Sequence, residues 1–159
     1  MSTTRQNPSG DARQIAEALE RCPSPWLRNA DLQGRWQCSR ASVDRIRKEH
    51  GLRSDGPDGT QPDFDLLTIL GIERVADPLA AWTLGSDDDR EILAAPLLSI
   101  DDLQLLDPHR GGYYREIFLQ RAREGIRPGF KLGNRWLFRP TIQDLARLQA
   151  LRAARMKGE

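Results

Sequence analysis

The chain has 159 residues, with 24 Lys and Arg against 23 Asp and Glu, for a formal charge of +1. That length suits one ordinary domain or two small ones, and the charge balance excludes both a histone-like basic protein and an acidic disordered tail. Hydrophobic residues make up 38% of the chain, enough for small cores, and no stretch approaches the roughly 18 apolar residues of a membrane span. The N-terminal MSTTRQNPSGDARQ has no apolar run and is not read as a secretory signal. Cys22 and Cys38 lie 16 apart without a second pair, so neither a zinc site nor a disulfide framework is expected. These features predict a protein with reduced thiols, no cofactor and a cytoplasmic location.

Charge is segregated along the chain. Residues 26–53 carry +4, residues 54–97 carry −8 and residues 98–159 carry +5. Within the last block, residues 110–139 hold eight basic groups against Glu116 and Glu124. A local excess of this kind is an electrostatic footprint for a polyanion. The alternative is a solvated surface whose counter-charges sit in the acidic middle.

Residues 1–10 are polar and are expected to be disordered. Asp11 is a plausible N-cap for a short helix carrying Ile15, Ala16 and Leu19, which Cys22-Pro-Ser-Pro25 stops. Asn29 is expected to cap a helix with Leu32 and Trp36 on one face. After a break at Gln37–Cys38, Ser39 caps a second helix whose inward stripe is Val43, Ile46 and His50, and Gly51 ends it. A short helix, a tight turn and a basic helix form helix-turn-helix grammar. SDGPDGTQPD then reads as a surface loop or hairpin tip, and FDLLTILGI as a compact apolar helix.

Further helix starts are expected at Asp77-Pro78, with Leu79 and Trp82 on one face, and at Asp87-Asp88-Asp89. Consecutive carboxylates diverge around a helix, so the acidic triplet is not read as a metal site. Ser99-x-x-Asp102 resembles a capping box before the Ile100, Leu103, Leu106 stripe. A turn at 107–112 leads to a helix from about Tyr113 to Glu124, with Tyr114, Phe118 and Ala122 spaced by four. PGFKLGNRWLF is a hairpin signal around Gly133-Asn134. Pro140 fits the first turn of a last helix with Ile142, Leu145 and Leu148 on its apolar side.

The two basic regions follow the same order of elements with a period near seventy residues, a weak internal duplication. The second copy resembles the excisionase and MerR-like winged-helix family in Leu98-Ser-Ile-Asp-Asp-Leu103, Arg123-Glu-Gly-Ile126, Lys131-Leu-Gly-Asn-Arg-Trp136 and Phe138-Arg-Pro140. The first copy resembles it in Cys38-Ser-Arg-Ala-Ser-Val-Asp-Arg45 and Gly51-Leu52. Together the two copies cover about two thirds of the chain. Two departures stand out: Asp107-Pro-His-Arg110 enlarges the second turn, and the first wing is an acidic Gly-Pro loop.

The resemblance implies a mainly α fold with short β-hairpin wings, a tandem winged helix-turn-helix. Residues 1–10 would be a tail, 11–71 a first winged-helix-like domain, 72–97 an acidic linker with helices, and 98–159 a second winged-helix domain with a C-terminal helix. The second helix of each copy would read double-stranded DNA in the major groove. In the first copy Arg40 and Arg45 are the expected base or phosphate contacts, Ser39 and Ser42 phosphate donors, and Arg47 and Lys48 backbone clamps. In the second, Arg115 is the leading base contact, with Arg121, Arg123 and Tyr113 beside it. Lys131, Asn134 and Arg135 would carry the wing, and Trp136 is expected to pack into a core.

Enzyme readings are disfavoured. His50 and His109 have no nucleophile or carboxylate at motif spacing, and Arg110-Gly-Gly-Tyr-Tyr114 lacks the further residues of a strand-transfer site. No phosphate-binding glycine loop occurs. The expected function is sequence-specific DNA binding as a transcriptional regulator or recombination accessory factor of the excisionase kind. A homo-oligomer, or a recombinase or polymerase partner, is compatible with that function, and no membrane partner is expected. A protein–protein adaptor on the same fold and a small terminase-like packaging subunit are the alternatives.

Overall fold

The computed structural model describes residues 8–53, 63–106, 115–125, 127 and 129–158. The expected tail at 1–7, the loop at 54–62, the enlarged turn at 107–112, Tyr113 and Tyr114 lie outside them, as do the side chains of Arg115 and Phe118. The described chain is mainly helical with two small antiparallel sheets. None of its helices is long and apolar enough to cross a membrane.

Helix α1 runs Pro8–Arg21, so Asp11 lies inside it rather than capping it, because Pro8 suits a first helical position. Strand β1 (Trp26–Arg28) leads directly into α2 (Asn29–Trp36). Asn29 is the first helical residue rather than the cap. The Arg28 backbone N–H donates to the Asp31 carboxylate at 2.8 Å, while the Asn29 amide reaches Asp44 at 3.4 Å. The turn to α3 (Arg40–Glu49) passes through Gln37 in the left-handed region (φ 50°), and Ser39 caps α3 by accepting from the Ser42 N–H at 3.2 Å. Val43 and Ile46 point inward, but His50 is exposed. It stands one residue past the last helical turn, where the stripe no longer meets the core.

Strand β2 (Asp63–Asp65) pairs with β1, setting Leu27 opposite Phe64. This sheet has no counterpart in the sequence reading. Asp65 then caps α4 (Leu66–Ile72), accepting from the Leu67 N–H at 3.0 Å. Helices α5 (Pro78–Leu84) and α6 (Asp87–Ala94) start where expected, capped by Asp77 and by a Ser86/Asp89 capping box. Ser99 and Asp102 form the expected reciprocal cap of α7 (Ile100–Leu106). Helix α8 (Arg115–Arg123) precedes the hairpin of β3 (Gly129–Leu132) and β4 (Arg135–Phe138). Helix α9 (Ile142–Met156) is capped by Thr141 with Asp144, so Pro140 lies ahead of the cap rather than inside the first turn.

The hairpin joins the halves. Strand alternation and register put Phe130, Leu132 and Leu137 on one face, and Trp136 and Phe138 on the other. The first face enters a cluster with Leu32, Trp36, Val43, Ile46, Phe64 and Ile69. The second joins Leu98, Leu103, Leu106 and Ala122. The chain between the halves follows the same division: the Leu97 N–H donates to the Arg35 carbonyl at 3.1 Å, while Leu98 exchanges two 2.8 Å backbone bonds with Phe138. Segment 72–97 is therefore packed structure as well as a connection. Trp82 lies in a third cluster with Leu66 and Leu70 and donates its indole N–H to the Cys22 carbonyl at 2.8 Å.

Candidate nucleic-acid interface

The hairpin's packing sets the site, because it brings the second basic block against α3 of the first. Between α3 and β3–β4 lies a cleft of about 500 Å³, within the size range of ligand sites. Ser42, Arg45 and Glu49 reach it from α3, spaced at i, i+3 and i+7 along one stripe. Asn134 and Arg135 border it from the hairpin, and Arg74 from the turn after α4. Lys131 also borders it, but its register opposite Trp136 puts it on the hairpin face turned toward the second copy. Glu49 is the only acid on this wall among the described residues. None of the described carboxylates of the acidic segment screens the cleft.

Two interactions hold the wall in place. The Arg135 guanidinium donates to the Gln37 carbonyl, in the turn that leads from α2 into α3. The Gln37 side-chain amide donates to the Leu97 carbonyl at 2.8 Å and to Asp102 at 2.6 Å. Cys38 sits beside this contact. Burial pushes its thiol up, with the Arg135 charge opposing the shift.

Beneath the cleft is a buried ionic cluster that sequence reasoning did not find. Glu73, fully enclosed, accepts from Arg35 Nε at 2.7 Å, Arg35 Nη2 at 2.8 Å, Trp36 Nε1 at 2.8 Å and Arg139 Nη1 at 2.9 Å. Arg35 also donates to the Leu93, Ala94 and Ala95 carbonyls, covering the C-terminus of α6 where positive charge is favourable. Burial alone would raise the Glu73 pKa. The Arg35 hydrogen bonds, the charges of Arg35 and Arg139 and the Trp36 donor overcome it and hold the carboxyl below its ordinary value. Burial lowers the Arg139 pKa, against the pull of Glu73 and helped by the neighbouring Arg35 charge. These three charged residues lie 38 and 66 positions apart in pairs, and no local pattern links them.

The remaining expected contacts divide clearly. Arg40 and Lys48 are exposed on α3 away from the cleft, and Arg45 is 140° from Arg40 at 100° per residue. Ser39 uses its side-chain oxygen as the cap and donates its hydroxyl to Ser42 at 3.1 Å. Arg47 lies over the Phe64 ring, 4.7 Å from its centroid, and pairs with Asp44 at 3.5 Å, so it is a packing residue of the first core. On α8, Arg123 is exposed and Arg121 is half-buried, with Arg121 also accepting from the Arg127 N–H through its carbonyl. Arg115 begins α8. Arg74 was missed because it stands in the acidic block. Comparison of the chain with protein-family models, curated proteins and solved structures finds no match to any of them.

Proposed function

We propose that the protein binds double-stranded DNA sequence-specifically as two winged helix-turn-helix modules of the excisionase and MerR-like type, fused on a shared hairpin. Helices α3 and α8 are the two readers and β3–β4 is the wing. The observation that carries this reading is the cleft, lined by Ser42 and Arg45 from one basic block and by Asn134 and Arg135 from the other. A reader helix with exposed Arg45 and Lys48 suits the major groove, whose base edges distinguish all four pairs. A neighbouring basic hairpin suits phosphates or the minor groove. The same surface serves transcriptional regulation or recombination, both of which need a rigid reader on duplex DNA.

Packing through one hairpin gives the two readers a fixed relative position. Tandem readers of fixed separation select half-sites at a fixed spacing, as dimeric helix-turn-helix proteins do. Selection from a random duplex library tests the reading. It should enrich a bipartite motif whose two parts tolerate base changes better than insertions between them. Failure to enrich any motif contradicts sequence-specific binding.

A further inference from the structure

Arg74 occupies an unusual backbone position. It follows α4 with φ at +64°, in the left-handed region that glycine adopts at helix ends without strain. The local bonds are those of a helix-ending turn: the Arg74 N–H donates to the Gly71 carbonyl at 3.2 Å, and the Val75 N–H to the Leu70 carbonyl at 3.0 Å. A glycine would form the same turn, because both bonds are made by backbone alone. The Arg74 side chain is exposed and makes no hydrogen bond or ion pair among the described residues. A long cationic side chain thus stands where the backbone disfavours it, with nothing in the described fold to hold it.

Its surroundings indicate what it meets. Arg74 borders the α3–hairpin cleft with Arg45, which likewise has no partner among the described residues, and with Arg135. It also borders a second hollow toward α8 and β3, formed with Val75, Ala122, Gly129 and Phe130 and with the paired Glu73 and Arg139. It is therefore placed between the reader of the first copy and the α8–β3 corner of the second. Three arginines lining one cleft suit phosphodiester oxygens, which accept paired N–H donors.

We propose that Arg74, with Arg45 and Arg135, forms a seat for a DNA backbone phosphate between the two modules, Arg74 being presented from the acidic segment by a left-handed turn. This rests on the DNA-binding reading above. Arg74 is a phosphate contact and carries no base specificity. Its loss weakens binding to all sequences alike and lowers the salt dependence by one contact.

The test compares wild type with Arg74→Gly, Arg74→Asn and Arg74→Lys by fluorescence anisotropy on one duplex across a salt series, with thermal melting of each protein. Gly and Asn suit the left-handed turn, so the melting temperature should stay level or rise by up to about 4 °C. Affinity should fall about fivefold to tenfold in both, and the slope of log affinity against log salt should lessen by about 0.9. The Arg74→Lys variant keeps the charge and should keep the wild-type slope. Unchanged affinity and slope in the Gly and Asn variants, or a lowered melting temperature that accounts for their weaker binding, overturns the proposal while leaving DNA binding intact. A wild type that binds no duplex overturns both.

Discussion

The Gln37 amide donates to the Asp102 carboxylate at 2.6 Å, linking the left-handed turn before α3 to the cap of α7. The same carboxylate accepts from the Ser99 N–H at 2.8 Å. One acidic side chain thus caps a helix in one half and positions the turn of the other. With the hairpin buried on both faces, neither half retains its core when the other opens. Unfolding in urea should be a single transition, with tryptophan fluorescence and far-ultraviolet circular dichroism coinciding. Asp102→Ala should lower stability by about 1–2 kcal/mol, the usual loss for a cap. Two separate transitions in the wild type would show that the halves fold independently.

Glu73 makes the fold sensitive to acid. Its carboxyl is held below the ordinary value of 4.5, so its contribution to stability is complete above that value and is lost as pH falls through the folded one. Melting temperature should therefore be nearly level from pH 7 to about 5 and fall below about 4.5. Glu73→Gln leaves Arg35 and Arg139 without their buried counter-charge and should cost about 3–5 kcal/mol at pH 7. Its stability should also fall less steeply in acid than that of the wild type. Parallel acid profiles for the two proteins would remove Glu73 as the cause.

Gly129 is required by close approach rather than by backbone angle. A Cβ built there would stand 2.6 Å from Cδ1 and Cε1 of Phe138 and 3.3 Å from the Ala122 side chain. Phe138 is fully buried and its backbone holds Leu98, so the ring has little room to retreat. Gly129→Ala should destabilise the protein by about 1–3 kcal/mol, the usual cost of overpacking, as measured by urea denaturation.

Arg47 separates packing from phosphate contact. Its place over Phe64 and its pairing with Asp44 assign it to the first core. Arg47→Ala should lower stability by about 1 kcal/mol through the lost ring contact and stem packing. The salt slope of DNA binding should stay as in the wild type. A slope reduced by about 0.9 would instead make Arg47 a backbone clamp.

Local signals made much of the framework legible. Ser39, Asp77 and Ser99 marked helix starts because caps act within three residues, the acidic run 87–89 marked the start of α6, and Gly133-Asn134 marked the hairpin. The β1–β2 sheet was hidden because three-residue strands are too short to show alternation. The Arg35–Glu73–Arg139 cluster was hidden because its members meet only through tertiary packing. Arg135 and Asn134 were legible as hairpin residues. Their meeting with Ser42 and Arg45 was not, since the hairpin's apolar pattern shows that both faces are buried without showing which helices cover them. Arg74 was obscured by its acidic neighbours in the sequence, none of which lines the cleft among the described residues.

A single DNA-binding wall built from both basic blocks is tested most directly by anisotropy on one duplex across a salt series, comparing wild type with Arg45→Ala, Arg135→Ala and the double variant. Wild-type binding should weaken steeply with salt, each single variant lowering the slope by about 0.9 and the double by about twice that. Salt-independent binding, or a double variant with the wild-type slope, would contradict the shared wall.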